Sequence, residues 1–440
     1  MTALAPPDGL VRGALVETAI EKGVYRGRGL GRVGGRVVFV PRALPGDRVR
    51  VRIDEVHAGW AEGALVELLE AAPARRVSPC PYVPLCGGCA YQDLGYEAQL
   101  RLKEAVLLES LARAGAPWEG PVTVHPSPER GWRMRASLHI APGEEGLRLG
   151  LRQEGTRRVV DVDTCLQLSE SMNGAARAVR VALASRPALA RQARGLDLLE
   201  SPDGGALLAV LETALPAAGL RPLATLPGEV PGLTGFGVRA GRRLQWLHGA
   251  PHVEARVLGV VLRAHVSSFL QANRFLLEPL ARAVVDLVPE GGRVIDLYAG
   301  VGLFALPLAA RSDDEVLAVE VSPSAVDDAR TNARRNRLAR VRVLSGDVGE
   351  VLASIRPEPG ERIVLDPPRT GASAEVVALL TSRAPAVIVY VSCDPPTLGR
   401  DLARLAGHGY RPDAIQLFDL FPDTFHLETV VRLRREVAGL

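Results

Sequence analysis

Three features of the C-terminal third carry side chains that could do chemistry. The first is a cysteine. The apolar run 387–391 delivers Ser392-Cys393-Asp394-Pro395. A thiol at a strand tip, ahead of an Asp-Pro turn, faces a ligand crevice rather than the core; an inert buried thiol is the plainer alternative. The second is a glycine turn. Residues 293–297 read as a buried parallel strand, and Tyr298-Ala299-Gly300-Val301-Gly302 leads into a helix. That geometry lets the backbone approach a ligand at the carboxyl end of the strand. The run 316–320 ends in Glu320, 20 residues past Gly300, placed to accept ribose hydroxyls. Ala305 stands where the third glycine of a G-x-G-x-x-G turn would be. S-adenosylmethionine, which has no pyrophosphate to cradle, therefore fits better than a dinucleotide. The third feature is a set of acids. Two more runs end in Asp347 and Asp366. Acids at successive strand ends line one crevice, although each alone could be a helix N-cap. Glu428 opens the last apolar run and could equally be a surface carboxylate. In Asp366-Pro367-Pro368-Arg369 an arginine replaces the aromatic with which amino-methylating enzymes present a flipped base, which disfavours that chemistry.

The five cysteines divide four and one. Cys80, Cys86 and Cys89 have C-x5-C-x2-C spacing, Cys165 is the next in the chain, and Cys393 stands alone. A sparse odd set in a chain of this length is a poor disulfide framework. Four thiolates hold zinc or an iron–sulfur cluster. Three close cysteines and one distant one fit a [4Fe–4S] cluster better than the two close pairs usual for zinc, and zinc stays open.

These residues need a scaffold. The chain has 440 residues, enough for about three domains at roughly 150 residues each. With 47% hydrophobic residues it can bury several cores and is not a disordered chain. No apolar run approaches a membrane span, and the first ten residues carry neither a basic nor an apolar leader, so the expected compartment is cytoplasmic. Charge is nearly balanced, 53 basic against 50 acidic. All but Lys22 and Lys103 of the basic residues are arginines, a bias that points to genomic composition. Residues 1–72 read as a small OB-like β-barrel, with β-branched runs punctuated by glycine and proline and strict alternation at 49–53. Between Lys22 and Arg52 nine basic residues face one acid, Asp47, the electrostatic footprint of a nucleic-acid module. Residues 94–111 have helical periodicity. The stretch Arg130-Gly131-Trp132-Arg133-Met134-Arg135 offers an RNA contact or an exposed strand edge. Residues 166–250 mix helices and strands without a chemical motif.

A resemblance joins these parts. Gly27-Arg28-Gly29-Leu30-Gly31 with Leu44-Pro45-Gly46-Asp47 looks like a TRAM domain, a small RNA-binding barrel. The cysteine cluster, Phe269-Leu270-Gln271-Ala272-Asn273, D-L-Y-A-G-V-G at 296–302, L-D-P-P-R-T-G at 365–371, Y-V-S-C-D-P-P at 390–396 and H-L-E-T-V at 426–430 resemble the RNA uracil-5-methyltransferase family. The resemblance implies three domains: a TRAM barrel at 1–72, a central α+β domain with a [4Fe–4S] cluster at 73–262, and an α/β, Rossmann-like class I S-adenosylmethionine-dependent methyltransferase domain at 263–440. It implies Cys80, Cys86, Cys89 and Cys165 as cluster ligands, Gln271, Tyr298, Gly300, Glu320, Asp347 and Asp366 at the cofactor site, Cys393 as nucleophile and Glu428 as general base. Two departures matter. Leu303 stands where many members have Asn or Thr, and Asp347 where many have Asn.

The implied chemistry explains the last pair. Carbon 5 of uracil is too weak a nucleophile to attack a methyl sulfonium, so a Cys393 thiolate adds to carbon 6 and activates it. Glu428 then removes the carbon-5 proton. The thiolate is the reactive form, so Cys393 is expected where its pKa is lowered. The base must be unstacked to be reached, which implies a loop or a flipped nucleotide. A TRAM barrel together with the cluster points to 23S ribosomal RNA as the partner, with tRNA the alternative and no protein partner required. Three other readings stay open. A 5-methylcytosine enzyme generally uses a second cysteine, and residues 263–440 contain Cys393 alone. An amino-methyltransferase would not need Cys393. A catalytically silent RNA-binding or ribosome-assembly factor would not need to retain both Cys393 and Glu428.

Overall fold

The computed structural model describes residues 10–143, 146–215 and 223–436; the reading of residues 1–9 as free of a leader lies outside them. No described helix is long and apolar enough to cross a membrane.

Strands β1 (Leu15–Val24), β2 (Arg28–Val33), β3 (Arg36–Pro41), β4 (Arg48–Val56) and β5 (Trp60–Glu70) close into a barrel in the order β1-β2-β3-β5-β4. Alternation along β4 puts Val49, Val51 and Ile53 in the barrel core. It turns Arg48, Arg50 and Arg52 outward, where they pair with Glu17, Glu67, Glu70 and Asp54. Lys22, Arg28, Arg32 and Arg42 likewise meet Glu109, Glu62, Glu21 and Glu154. The excess of positive charge in this window of sequence is therefore largely neutralised in space, by acids that lie outside the window. Most of these pairs are solvent-exposed, a class worth about 0–1 kcal/mol each. The lone acid of the window, Asp47, is fully buried. Its carboxylate accepts from Leu44 N (2.6 Å), Ala72 N (3.0 Å) and Arg75, tying the barrel to the chain that leaves it.

Helix α1 (Tyr96–Arg113) and the short strand β6 (Val122–His125) follow. Strands β7 (Arg135–Gly143), β8 (Gly146–Arg152), β9 (Val159–Asp161), β10 (Ala193–Glu200), β11 (Leu207–Thr213), β12 (Gly235–Ala240) and β13 (Arg243–Gly249) form a second sheet, ordered β13-β12-β11-β10-β7-β8-β9. Helix α2 (Glu170–Ala184), followed by the one-turn helix α3 (Pro187–Ala190), packs Met172, Val179 and Leu183 into the core of this unit with Leu138, Leu196, Leu198 and Phe236. The stretch before β7 matches neither sequence expectation at Trp132. The indole is fully buried, with the Arg133 guanidinium 4.8 Å above its ring. Residues 272–274 cover it: Met134 N donates to Ala272 O (2.7 Å) and Arg274 N to Trp132 O (2.9 Å).

A hairpin, β14 (His252–Val257) and β15 (Val260–His265), and helix α4 (Leu277–Leu287) lead into the third unit. Strands β16 (Val294–Leu297), β17 (Val316–Glu320), β18 (Val341–Ser345), β19 (Arg362–Leu365) and β20 (Val387–Ser392) are mutually parallel. They alternate with helices α5 (Ala305–Arg311), α6 (Pro323–Arg335), α7 (Val348–Ser354), α8 (Ala374–Arg383) and α9 (Pro395–Ala406). Strands β21 (Tyr410–Phe418) and β22 (Glu428–Arg435) complete the sheet, with β22 antiparallel between β20 and β21. The full order is β18-β17-β16-β19-β20-β22-β21-β6. Apolar clusters cover both faces, which is why the central strands read as unbroken apolar runs. The Rossmann-like methyltransferase fold and the five-stranded barrel are thus both present. Strand β6, from residues 122–125, adds the outermost strand of the catalytic sheet by pairing with β21, and α1 packs on α9.

One buried ion pair locks this arrangement. Lys103 Nζ lies 2.5 Å from Asp419 Oδ1 and 3.0 Å from Phe421 O, with both charged side chains essentially inaccessible. Burial lowers the Lys103 pKa and Asp419 opposes that shift. Replacing Lys103 with Met leaves Asp419 buried without its counter-charge. Chemical denaturation should show a loss of about 3–5 kcal/mol, whereas the exposed-pair variant Glu67→Gln should cost under about 1 kcal/mol.

Candidate active site

The sheet brings most of the predicted side chains to one edge. Tyr298 and Gly300 follow β16, Glu320 ends β17, Asp347 follows β18, Asp366 follows β19 and Cys393 follows β20. Strand β22 runs the other way, so its first residue, Glu428, arrives at the same edge. Ser392 pairs with Thr429, which sets Cys393 and Glu428 beside each other across the ends of adjacent strands.

On the glycine-turn side, Gly300 has φ +57° and Tyr298 φ +64°. A methyl group added at Gly300 would meet nothing nearer than the Phe269 carbonyl oxygen at 4.0 Å, so an open cradle lies above the turn. Glu320 is held rigid there. Its carboxylate accepts from Gly300 N (2.8 Å), Val321 N (2.9 Å) and Ser322 N (2.7 Å). Gln271 is buried in the segment that covers this turn. That segment is pinned by Asp328, which accepts from Ser268 Oγ (2.7 Å) and His265 N (2.7 Å). Asp347 is the N-cap of α7, accepting from Gly349 N (2.8 Å) and Glu350 N (3.3 Å), the plainer of the two readings open to it from sequence. Leu303 is buried in the apolar core, where it serves packing.

The Cys393 side is an accumulation of desolvated acid. Glu428 is 2% exposed and its Oε1 has no hydrogen-bond partner. Burial, with Asp366 adding to it, holds its pKa well above the usual carboxylate range against the opposing Arg369. Burial pushes Asp366 up to about 7. The Cys393 thiol is pushed up to about 12, first by burial, then by the negative charges of Glu428 and Asp366, with Arg369 again opposing. The expectation of a lowered thiol pKa is therefore not met. Burial and two carboxyl neighbours outweigh one exposed guanidinium. The resting site favours a neutral thiol beside carboxyl groups whose proton affinity is raised.

Sequence reasoning missed Asp296. It is fully buried, its Oδ2 accepts from Ala305 N (2.9 Å), and its Oδ1 has no partner. Its pKa is raised well above normal by burial, then by Asp366 and Glu320. An acid inside an otherwise apolar parallel strand was the signal. Arg369, acting on both Glu428 and Cys393, was read only as a departure from another motif.

The four remaining cysteines, Cys80, Cys86, Cys89 and Cys165, line one enclosed cavity away from this edge, together with Tyr82, Gln92, Leu151 and Val162. Cys89 Sγ accepts from Gln167 Nε2 (3.0 Å) and Gln92 Nε2 (3.5 Å), and Cys86 Sγ from Gly88 N (3.4 Å). The positive charge of buried Arg133 acts on Cys165 and Cys89. Among the described residues no group of three or more His, Cys, Asp or Glu side chains is arranged to hold a metal ion.

Comparison with known proteins places the chain. The family described as tRNA (Uracil-5-)-methyltransferase matches residues 252–436, and the TRAM domain matches 12–66. The chain is 36% identical to a 23S rRNA (uracil(1939)-C(5))-methyltransferase of Halomonas elongata, over 95% of this chain and 89% of that protein. This chain belongs to the RNA uracil-5-methyltransferase family. A Pseudomonas putida protein of the same description is 34% identical over 93% of this chain and 92% of its own. Among solved structures, a Pyrococcus abyssi tRNA (uracil-54, C5)-methyltransferase in complex with S-adenosyl-L-homocysteine superposes with a TM-score of 0.76 at 25% identity, covering 94% of this chain and 100% of that one.

The buried thiol yields a pH-dependent prediction. The thiolate fraction of a group titrating near 12 rises with pH throughout the neutral and mildly alkaline range. Iodoacetamide labelling of Cys393 in the free protein, followed by peptide mass spectrometry, should accelerate about tenfold per pH unit from about pH 7 to 10 without levelling off. A plateau near neutrality would show a lowered pKa.

Proposed function

We propose that this protein methylates carbon 5 of a uridine in 23S ribosomal RNA, with Cys393 as nucleophile and Glu428 as general base. The observation that carries the reading is their adjacency across β20 and β22, next to Asp366. Of the other readings, an amino-methyltransferase needs no such thiol, and a silent RNA-binding factor gains nothing from burying Glu428 without a partner for Oε1. S-adenosylmethionine, when bound, supplies the methyl group. Glu320 is the candidate for its ribose, the open cradle at Gly300 gives it room, and Gln271, Tyr298, Asp347 and Asp366 complete the candidate site.

The chain's own part follows from the electrostatics. Cys393 sulfur bonds to carbon 6 as its proton passes to the Asp366–Glu428 pair, whose raised pKa values make it a competent acceptor when ionised. Carbon 5, now electron-rich, takes the methyl group. Glu428 removes the carbon-5 proton, the C–S bond breaks as the ring double bond reforms, and one proton returns to the thiolate while the other is released. Enclosure by an unstacked base removes water from the carboxyl groups and strengthens each of these interactions.

We also propose that Cys80, Cys86, Cys89 and Cys165 hold a [4Fe–4S] cluster, with residues 1–72, 73–262 and 263–440 as the barrel, cluster and catalytic units, except that α1 and β6 of the middle stretch pack with the catalytic sheet. Three close cysteines and one distant one favour a cluster over zinc, whose sites usually show two close pairs. The shared cavity, the N–H donors aimed at sulfur and the nearby buried Arg133 fit an anionic group surrounded by thiolates. Anaerobically purified protein should contain iron and acid-labile sulfide in matching amounts and lose both in Cys165→Ser; stoichiometric zinc instead would overturn this assignment.

The 23S substrate rests on relatives that match nearly the whole chain; the Pyrococcus structure supports tRNA as the second reading. Labelled S-adenosylmethionine with a mixture of unmodified 23S rRNA and tRNA, separated by size, decides between them. Label should enter the large RNA as 5-methyluridine. Cys393→Ala should abolish turnover and the covalent complex with 5-fluorouridine RNA. Glu428→Gln should stall after methylation and accumulate a covalent complex on ordinary RNA. Label in tRNA alone would overturn the substrate assignment, and an active Cys393→Ala would overturn the mechanism.

A further inference from the structure

The turn between β1 and β2 reaches from the barrel into the catalytic unit. Tyr25, on that turn, donates its hydroxyl to Asp394 Oδ2 at 2.6 Å. Asp394 directly follows Cys393, and its other oxygen accepts from Thr397 N (3.0 Å) as the N-cap of α9. One carboxylate is thus fixed from the barrel on one side and by the helix on the other. The Tyr25 ring meets the ring of Phe425 edge-on, with centroids 6.1 Å apart at 90°. Phe425 in turn packs on His426, centroids 4.1 Å apart, two residues before Glu428.

The approach is close enough to dictate a neighbouring residue. Gly27 has φ +74°, and a Cβ there would fall 2.9 Å from Ala90 Cβ and 3.3 Å from Phe425 Cβ. The turn is therefore shaped to sit on the loop that precedes the general base. Burial, then the bond to Asp394, raises the phenol pKa, so the hydroxyl keeps its proton and remains the donor. A short O–H···carboxylate bond of this kind is charge-assisted and geometrically strict.

We propose that Tyr25 is a positioning residue for the methyl-transfer reaction: its hydroxyl sets the Cys393–Asp394 turn and its ring sets the Phe425–His426 loop, so that a barrel side chain fixes the nucleophile relative to the general base. The barrel is then part of the catalytic apparatus as well as an RNA-binding module. This inference rests on the assignment of Cys393 and Glu428 given above.

Tyr25→Phe removes the hydroxyl and keeps the ring. In the full-length protein, the rate of covalent-complex formation with 5-fluorouridine RNA and kcat for methylation should each fall about tenfold, while KM and Kd for RNA stay within about twofold and Tm is nearly unchanged. Asp394→Asn should show a comparable fall, and the double variant should lose little more than either single one, because both remove the same bond. If Tyr25→Phe keeps wild-type kcat, or loses RNA affinity with kcat intact, Tyr25 is an RNA contact or a packing residue and the inference is wrong. If additive losses appear in the double variant, the two groups act separately and the inference is likewise overturned. Wild-type protein that forms no covalent complex would instead overturn the uridine-methylation reading, and the inference with it.

Discussion

Glu428 can be a buried acid with an unpartnered oxygen at the mouth of the sheet because the segment before it, residues 419–427, is clamped by residues 76–103 and by Asn273. Lys103 of α1 holds Asp419 and the Phe421 carbonyl. Asn273 Nδ2 donates to Leu420 O (3.0 Å). Asp423 turns inward at φ +65° and is met by Gln92 Nε2 (2.8 Å), Gln99 Nε2 (3.0 Å) and Arg76 (3.1 Å), while its carbonyl accepts from Ala90 N and Tyr91 N. A non-glycine residue at positive φ costs free energy, and the set of bonds converging on Asp423 over-determines it. Without this clamp a charged or polar chain end would relax toward water. With it, the acid stays where burial can tune its proton affinity.

That tuning is expensive, and its distribution is informative. Asp296, Asp366 and Glu428 all sit at the same edge with pKa values raised by burial, and Asp296 and Glu428 each keep an oxygen without a partner. Desolvated acids of this kind oppose folding, and such groups gather where chemistry needs them. Elsewhere the chain treats buried charge differently. Asp47, Asp328 and Glu361 are equally inaccessible, yet each is met by an arginine and backbone or side-chain donors. The contrast separates acids whose burial is compensated by an arginine from acids whose burial is left to raise their proton affinity.

What could be read in the sequence was local. Period-2 alternation at 49–53, unbroken apolar runs in the parallel sheet and a glycine turn followed 20 residues later by Glu320 each express a short-range rule, and each element is where the pattern put it. The motifs led to a family whose relatives match almost the whole chain. What could not be read depends on partners distant in sequence. The basic window looked like an electrostatic footprint because Glu17, Glu62, Glu67, Glu70 and Glu109 lie outside it. Trp132 looked exposed because its cover, residues 272–274, comes from 140 positions further on. The Cys393 thiol was expected to be acidic because the reaction needs a thiolate, whereas the resting pKa follows from Glu428, Asp366 and desolvation, none of them adjacent in the chain. Asp347 ends a strand and caps a helix at once, so one pattern legitimately supported two roles.

The cysteine cavity and the segment before Glu428 share two amide side chains, and this bears on what the proposed cluster does. Gln92 directs Nε2 to both Cys89 Sγ and Asp423 Oδ2. Gln167 directs Nε2 to both Cys89 Sγ (3.0 Å) and the Pro422 carbonyl (3.5 Å). A primary amide has two N–H donors, so each glutamine can hold a sulfur with one and the base-bearing segment with the other. The sulfur therefore orients the amide that orients the segment. A thiolate held in a cluster is a stronger and more fixed acceptor than a free thiol, so filling the cavity would stiffen the route to Glu428. Methyl transfer to uracil moves no net electrons, and this bridge through Cys89 gives the proposed cluster a positioning role that requires none.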